Sequence, residues 1–150
     1  MYLKILIFLC ALSLIVSCGS QPQESKKNIP STNASPLVCY RYIDKADTII
    51  LKTTYVNGFV TGTLVYNLYQ KDKYSGTIQG QMKGELLIAD FTFFSTGVKS
   101  VREVAFKKKG KNFIEGYGET EDKDGKTTFK NIDSLNFTHS IVLREVDCDK

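Results

Sequence analysis

The chain has 150 residues, of which 42% are hydrophobic and 24% charged, and its formal net charge is +4. This is the composition of one globular domain, and it excludes collagen-like, proline-rich and long disordered chains. The mild positive charge does not favour a nucleic-acid partner.

The first residues carry an export signal. Lys4 is followed by an apolar run of 12 residues, Ile5 to Val16, which is shorter than the about 20 residues of a membrane-spanning helix and has the proportions of a secretory signal. The segment Ile15-Val16-Ser17-Cys18 resembles the bacterial lipobox. That resemblance implies cleavage before Cys18 and its acylation, with palmitate as a typical acyl group. An ordinary signal peptide followed by a chance cysteine is the alternative.

Three segments are therefore expected: a signal peptide over 1–17, the lipidated cysteine with a flexible tether over 18–36, and a folded domain over 37–150. The tether has a single large apolar residue, Ile29, and cannot offset its own ordering entropy by burial. The lipid would hold the protein on a membrane. Since no acidic cluster follows Cys18, we expect the outer membrane, facing the periplasm.

The cysteines agree with an exported domain. Cys10 leaves with the signal and Cys18 takes the lipid, which leaves Cys39 and Cys148 at the two ends of the folded part. Two remaining thiols in an oxidising compartment predict one disulfide. A metal or redox pair is the alternative, although the spacing lacks a CxxC motif.

From residue 37 onward, alternating apolar residues and turn signals about ten residues apart predict strands. Asn57-Gly58 predicts a two-residue hairpin that pairs Leu51 with Leu64. Three more turns are predicted as three-residue loops ending at Gly84, Gly97 and Gly110. Later strands are expected over 112–119, 127–131, 135–137 and 141–146.

These loops, together with a predicted five-residue loop from Tyr69 to Lys73, define registers across five strands. They pair Leu64 with Ile78, Gly80 with Leu86, and Asp90 with Arg102. One predicted interior layer contains Leu51, Leu64, Ile78, Ile88 and Val104, and another contains Thr53, Gly62, Gly80, Leu86 and Phe106. Leu87, Phe91 and Phe93 then point outward, so the interior face of strand 85–94 stays open. The fold class is all-β: a small up-and-down antiparallel β-barrel of eight or nine strands.

Three runs carry a family resemblance: Tyr74–Gly80 (YSGTIQG), Gly84–Phe93 (GELLIADFTF) and Ser100–Phe106 (SVREVAF). They resemble uncharacterised lipocalin-like lipoproteins of Bacteroidetes-type bacteria, over about Cys39 to Cys148. The resemblance implies a calycin-type barrel, and it brings neither an established activity nor catalytic residues.

The sequence has few residues in patterns typical of catalytic or metal sites. His139 is the only histidine, so a zinc site with two or three histidines is excluded. The segment Asp122-Lys123-Asp124-Gly125 lacks the acidic residues that complete a calcium loop. We therefore expect no enzyme, no metal and no cofactor. The basic cluster Lys107-Lys108-Lys109 with Lys111 is interpreted as a solvated hairpin tip, or else as a contact with an acidic surface.

The predicted Asp90–Arg102 pair is the sharpest candidate site. If it faces the interior, it is either a structural salt bridge or a polar anchor for a ligand, in a layer with Tyr66 and with Gly76, which leaves space. The aromatic residues expected to line such a cavity are Tyr40, Tyr42, Tyr66, Tyr74 and Phe106. The expected function is a non-enzymatic binding module that holds a small, partly apolar ligand in the barrel. The alternative is a protein-interaction module, such as a lysozyme-type inhibitor or an envelope structural protein.

Overall fold

The computed structural model describes residues 35–138 and 141–149. The predicted signal peptide, Cys18, nearly all of the tether and His139 lie outside these residues. Over the two described ranges, none of the helical structure is long and apolar enough to cross a membrane.

Strands dominate the described residues, and a 3₁₀ turn (Ile132–Ser134) precedes the last of them. The strands are β1 (Val38–Asp44), β2 (Asp47–Val56), β3 (Phe59–Asn67), β4 (Tyr74–Lys83), β5 (Leu86–Ser95), β6 (Val98–Lys109), β7 (Asn112–Gly116), β8 (Thr120–Lys123), β9 (Lys126–Phe129) and β10 (Val142–Val146).

Eight of the strands close into an antiparallel barrel. From β1 to β7 each strand pairs with the next along the chain, and β10 lies between β7 and β1. Closure removes the free sheet edges on which another chain could pair. The predicted small up-and-down β-barrel is therefore confirmed. The hairpin β8–β9 is added to the ring, with β9 parallel to β6.

A disulfide joins the first and last strands of the ring. Cys39 and Cys148 are bonded, with Cα atoms 5.2 Å apart across a sequence separation of 109 residues. Beside this bond, β1 pairs with β10 by placing Cys39 opposite Val146. The disulfide predicted from the cysteine count is confirmed.

The hairpin at Asn57-Gly58 has the predicted register, with Leu51 opposite Leu64. Both loop residues have positive φ, 50° for Asn57 and 83° for Gly58, as a type I′ turn requires.

The three other glycine turns were predicted with the wrong loop length. Each is a two-residue loop, Gly84-Glu85, Thr96-Gly97 or Gly110-Lys111. Gly80 consequently pairs with Ala89 and not with Leu86, a displacement of three residues. The register between β3 and β4 is also displaced, since Leu64 pairs with Gly76 and not with Ile78.

These displacements decide which face of β5 is interior. An odd displacement turns every side chain of a strand to the other face, so Leu87, Ala89 and Phe91 are buried inside the barrel. Ile88 and Leu86, which were predicted inside, alternate with them on the outer wall. The register between β5 and β6 is displaced by one residue, which reverses the faces again. The predicted interior residues of β6, Val104 and Phe106, are therefore buried.

The last third of the chain also differs from prediction. The strand predicted over 112–119 ends at Gly116, and a separate strand begins at Thr120. Residues 135–137 make only a single bridge, Tyr117 with Asn136, and not a strand.

The interior is filled where the disulfide closes the ring. Tyr40 contacts Phe113 edge to face with ring centroids 4.8 Å apart, and Phe113 packs in the same way against Phe106 at 6.2 Å. Leu143 and Val60 are fully buried in the same core. Side chains therefore fill this half of the barrel.

Candidate ligand cavity

The two ends of the barrel differ. Because the strands alternate in direction, the turns at 45–46, the loop 68–73 and the turn at 96–97 lie at one end, which we call the mouth end. The turns at 57–58, 84–85 and 110–111 lie at the opposite end, together with the start of β1 and the disulfide. We call that the base end.

A cavity of about 410 Å³ lies at the mouth end. Its volume is within the range of about 300–1,000 Å³ that small-molecule sites occupy. Most of its wall is apolar, with contributions from Ile49, Leu68, Val104, Phe129 and Ile141. The polar side chains on the wall include Tyr66, Tyr74, Arg102, Glu115 and Tyr117. The cavity thus combines an apolar body with a few convergent polar groups.

The cavity lies where the ring of strands changes partner. On one side, β7 pairs with β6, but only along residues 105–109 of β6, and β7 ends at Gly116. Nearer the mouth, the neighbour of β6 is β9, which places Thr127 beside Arg102. The main-chain N–H of Phe129 donates to Glu103 Oε2 at 3.1 Å, which ties β9 to β6. The hairpin β8–β9 therefore forms one side of the cavity.

A buried carboxyl group is held by two tyrosines on this wall. Glu115 is only 5% exposed, and its Oε1 accepts the Tyr66 hydroxyl at 2.5 Å while its Oε2 accepts the Tyr117 hydroxyl at 2.8 Å. Burial raises the pKa of the Glu115 carboxyl, against the opposing effect of these two hydrogen bonds and of Arg102. Burial and the neighbouring carboxyl raise the pKa of Tyr66 and of Tyr117 as well. Both tyrosines are therefore fixed as hydrogen-bond donors.

Arg102 reaches into the barrel among aromatic rings. It lies opposite Phe91 on the adjacent strand. Its guanidinium carbon is 4.9 Å from the ring centroid of Tyr66, 5.6 Å from that of Phe91 and 5.8 Å from that of Phe93. Such stacking stabilises a cation without using its N–H donors.

The predicted pair of Asp90 with Arg102 is wrong. Asp90 lies opposite Glu103 on the outer wall, where Lys126 binds it. The one-residue displacement of the β5–β6 register separates Asp90 from Arg102. Asp90 is not among the residues that line the cavity, whereas Arg102, Tyr66 and Tyr74 all line it.

The other aromatic residues considered for the wall lie elsewhere. Tyr40 and Phe106 fill the base half. The space expected beside Gly76 is also occupied, because a Cβ there would meet the Thr92 carbonyl oxygen and the Phe91 ring.

Sequence reasoning missed Glu115 and Tyr117, the carboxyl and one of its two donors. A signal was present, since Phe113, Glu115 and Tyr117 alternate on one face of a predicted strand. A carboxylate between two aromatic residues on a core-facing stripe is a candidate buried polar group.

Comparisons with protein-family models, with curated proteins and with solved structures find no match for this chain. Among the described residues, no group of three or more His, Cys, Asp or Glu side chains is placed to hold a metal ion.

Proposed function

We propose that this protein is a lipid-anchored protein of the cell envelope, without enzymatic activity, whose barrel binds a small, partly apolar molecule. The observation that carries this proposal is the cavity at the mouth end, with apolar walls and a cluster of Tyr66, Arg102 and Glu115. Sites for small molecules commonly combine these two features.

The position of the chain start suits an anchored binding protein. The described chain reaches β1 at the base end, so a lipid on Cys18 would join the barrel at the end away from the cavity mouth.

Binding can be tested by native mass spectrometry of the full chain, expressed in a bacterium with an intact envelope and released from detergent micelles. We expect an additional small mass that is lost on collisional activation. Leu68→Trp, which adds volume at the mouth, should reduce the retained mass. Val56→Trp is the matched control, because Val56 lies at the base end and is 38% exposed. Identical spectra for both variants, or no additional mass in any sample, would count against a ligand cavity.

Anchoring can be tested separately by labelling with radioactive palmitate. Cys18→Ala should abolish incorporation and move the protein from the membrane fraction to the soluble fraction. Cys10→Ala should keep the label, because Cys10 lies in the segment removed with the signal. Retained label in Cys18→Ala would contradict the proposed anchor.

A protein-interaction module remains the second candidate, and exposed apolar side chains at the mouth end favour it. Phe94 and Val98 flank the β5–β6 turn with 66% and 64% of their surfaces exposed. Such residues are common in protein contacts. A muramidase assay with excess protein tests the lysozyme-inhibitor form of this candidate, and undiminished activity would end it.

A further inference from the structure

The side chain of Arg102 has hydrogen-bond donors without an acceptor among the described residues. Within residues 35–138 and 141–149, its side chain makes no hydrogen bond and no ion pair, and its Nε is buried without an acceptor. Arg102 as a whole is half-buried. A guanidinium carries five N–H donors, and a donor that is buried without an acceptor, as this Nε is, costs free energy. The three aromatic contacts stabilise the positive charge but leave these donors unused.

The carboxylates near Arg102 accept hydrogen bonds from other groups. Glu115 accepts one tyrosine hydroxyl on each oxygen. Glu103 accepts the Phe129 N–H on Oε2, and its Oε1 is 3.9 Å from Lys126 Nζ. Arg102 is thus a polar side chain of the cavity whose N–H donors are available to a bound molecule.

We propose that Arg102 binds the carboxylate of a small amphipathic acid, whose apolar part lies against Ile49, Leu68, Val104 and Ile141. This inference rests on the proposed binding function and names its ligand class. A guanidinium matches a carboxylate with two parallel N–H···O bonds, and the low polarity of the wall strengthens both.

The charges around the cavity favour a monoanion. Arg102 contributes one positive charge inside, and a dianion such as a phosphate monoester would bring a second negative charge that this guanidinium does not neutralise. Lys71 is exposed and lies in the loop at the mouth, where it attracts anions without discriminating between them. A carboxylic acid with an apolar body satisfies both the single cation and the apolar wall.

Isothermal titration calorimetry tests the preference for a carboxylate. The full chain is held in detergent micelles after any ligand bound in the cavity has been removed, and the three probes have equal chain length: octanoate, octanol and octyl phosphate. Because a charge-assisted hydrogen bond is stronger than a neutral one, we expect octanoate to bind about ten to a hundred times more tightly than octanol. Octyl phosphate should bind more weakly than octanoate. This comparison uses the unaltered protein and does not depend on a variant folding.

Two variants of Arg102 and one control variant test whether the preference for octanoate depends on this residue. Arg102→Gln should make the affinities for octanoate and octanol equal. Arg102→Lys should restore part of the difference, because lysine keeps the positive charge but lacks the paired N–H donors of the guanidinium. Arg144→Gln, on the exposed outer wall, should leave the preference unchanged.

Equal binding of octanoate and octanol by the unaltered protein would overturn the role of Arg102 but keep the binding function. No binding of any probe, together with no retained mass in native spectra, would overturn both proposals. A preference for octyl phosphate would overturn the carboxylate assignment.

Discussion

Asp90 and Glu103 lie directly opposite each other on β5 and β6, and both carboxylates are bound by Lys126 of β9. Like charges at facing positions of a sheet repel each other. Here the repulsion is offset by a lysine from a strand added to the barrel. The arrangement fastens the hairpin β8–β9 to the wall of the cavity, and it explains why two acidic residues can occupy adjacent positions there.

Lys126→Gln should loosen this hairpin. The variant leaves Asp90 and Glu103 unneutralised, and we expect a loss of about 1 kcal/mol of stability, since the groups are only partly buried. Hydrogen exchange should accelerate most at the Phe129 amide, which donates to Glu103.

Lys130→Gln is the control for that measurement. Its ammonium pairs with Glu119, whose side chain is 82% exposed, and such surface pairs contribute little. Equal acceleration at the Phe129 amide in both lysine variants would show that Lys126 has no special role.

Removal of the disulfide should be the largest single loss of stability among these predictions. Cys39→Ala with Cys148→Ala opens a loop of 109 residues, for which the chain-entropy model gives about 4.7 kcal/mol and experiments commonly give about 2–5 kcal/mol. Guanidinium chloride unfolding followed by tyrosine fluorescence measures the difference. A reducing agent should lower the stability of the unaltered protein to the same level and leave the double variant unchanged. A reduced protein as stable as the oxidised one would contradict this account.

Much of the fold was predictable because alternation and turn residues are local signals. Asn57-Gly58 occupies the two positions where a type I′ turn needs positive φ, so both its place and its register follow from the sequence. At Gly84 and Gly110 the same residue type fits either the last position of a three-residue loop or the first position of a two-residue loop. The structure has the second arrangement, with φ of 60° and 61°. One glycine therefore fixes a turn but not its length.

The site was less predictable because its residues come from several strands, and an error in the register of one strand pair is carried to the next. Tyr66, Tyr74 and Arg102 were identified individually, since each lies at an interior position. The partner predicted for Arg102, Asp90, was wrong because the register between β5 and β6 differs from the predicted one by one residue. The pairing of β9 with β6 joins residues separated by the whole of β7 and β8, and no local pattern predicts that contact.

Gly76→Ala tests how tightly neighbouring strands approach inside the barrel. An added Cβ would collide with the Thr92 carbonyl oxygen, which belongs to the backbone of β5 and has little freedom to move. We expect a loss of about 3 kcal/mol, at the upper end of the overpacking range. Gly84→Ala is the matched control, because its surroundings are open and only its positive φ of 60° is unfavourable, at about 1 kcal/mol. Equal melting temperatures would show that the strands can separate freely at Gly76.

Glu115→Gln tests the buried carboxyl through the pH dependence of stability. Burial raises the pKa of Glu115 in the native state above its ordinary value of 4.5, so the native protein binds this proton more tightly than the unfolded chain. That contribution to stability is complete below about pH 4.5 and is lost as the pH rises through the native pKa. Glutamine has no proton to lose. The melting temperature of the variant minus that of the unaltered protein should therefore increase between pH 4 and pH 7, and contributions from other carboxyl groups cancel in this difference. A difference that stays constant, or that falls, would mean that the two tyrosine hydroxyls and Arg102 outweigh burial.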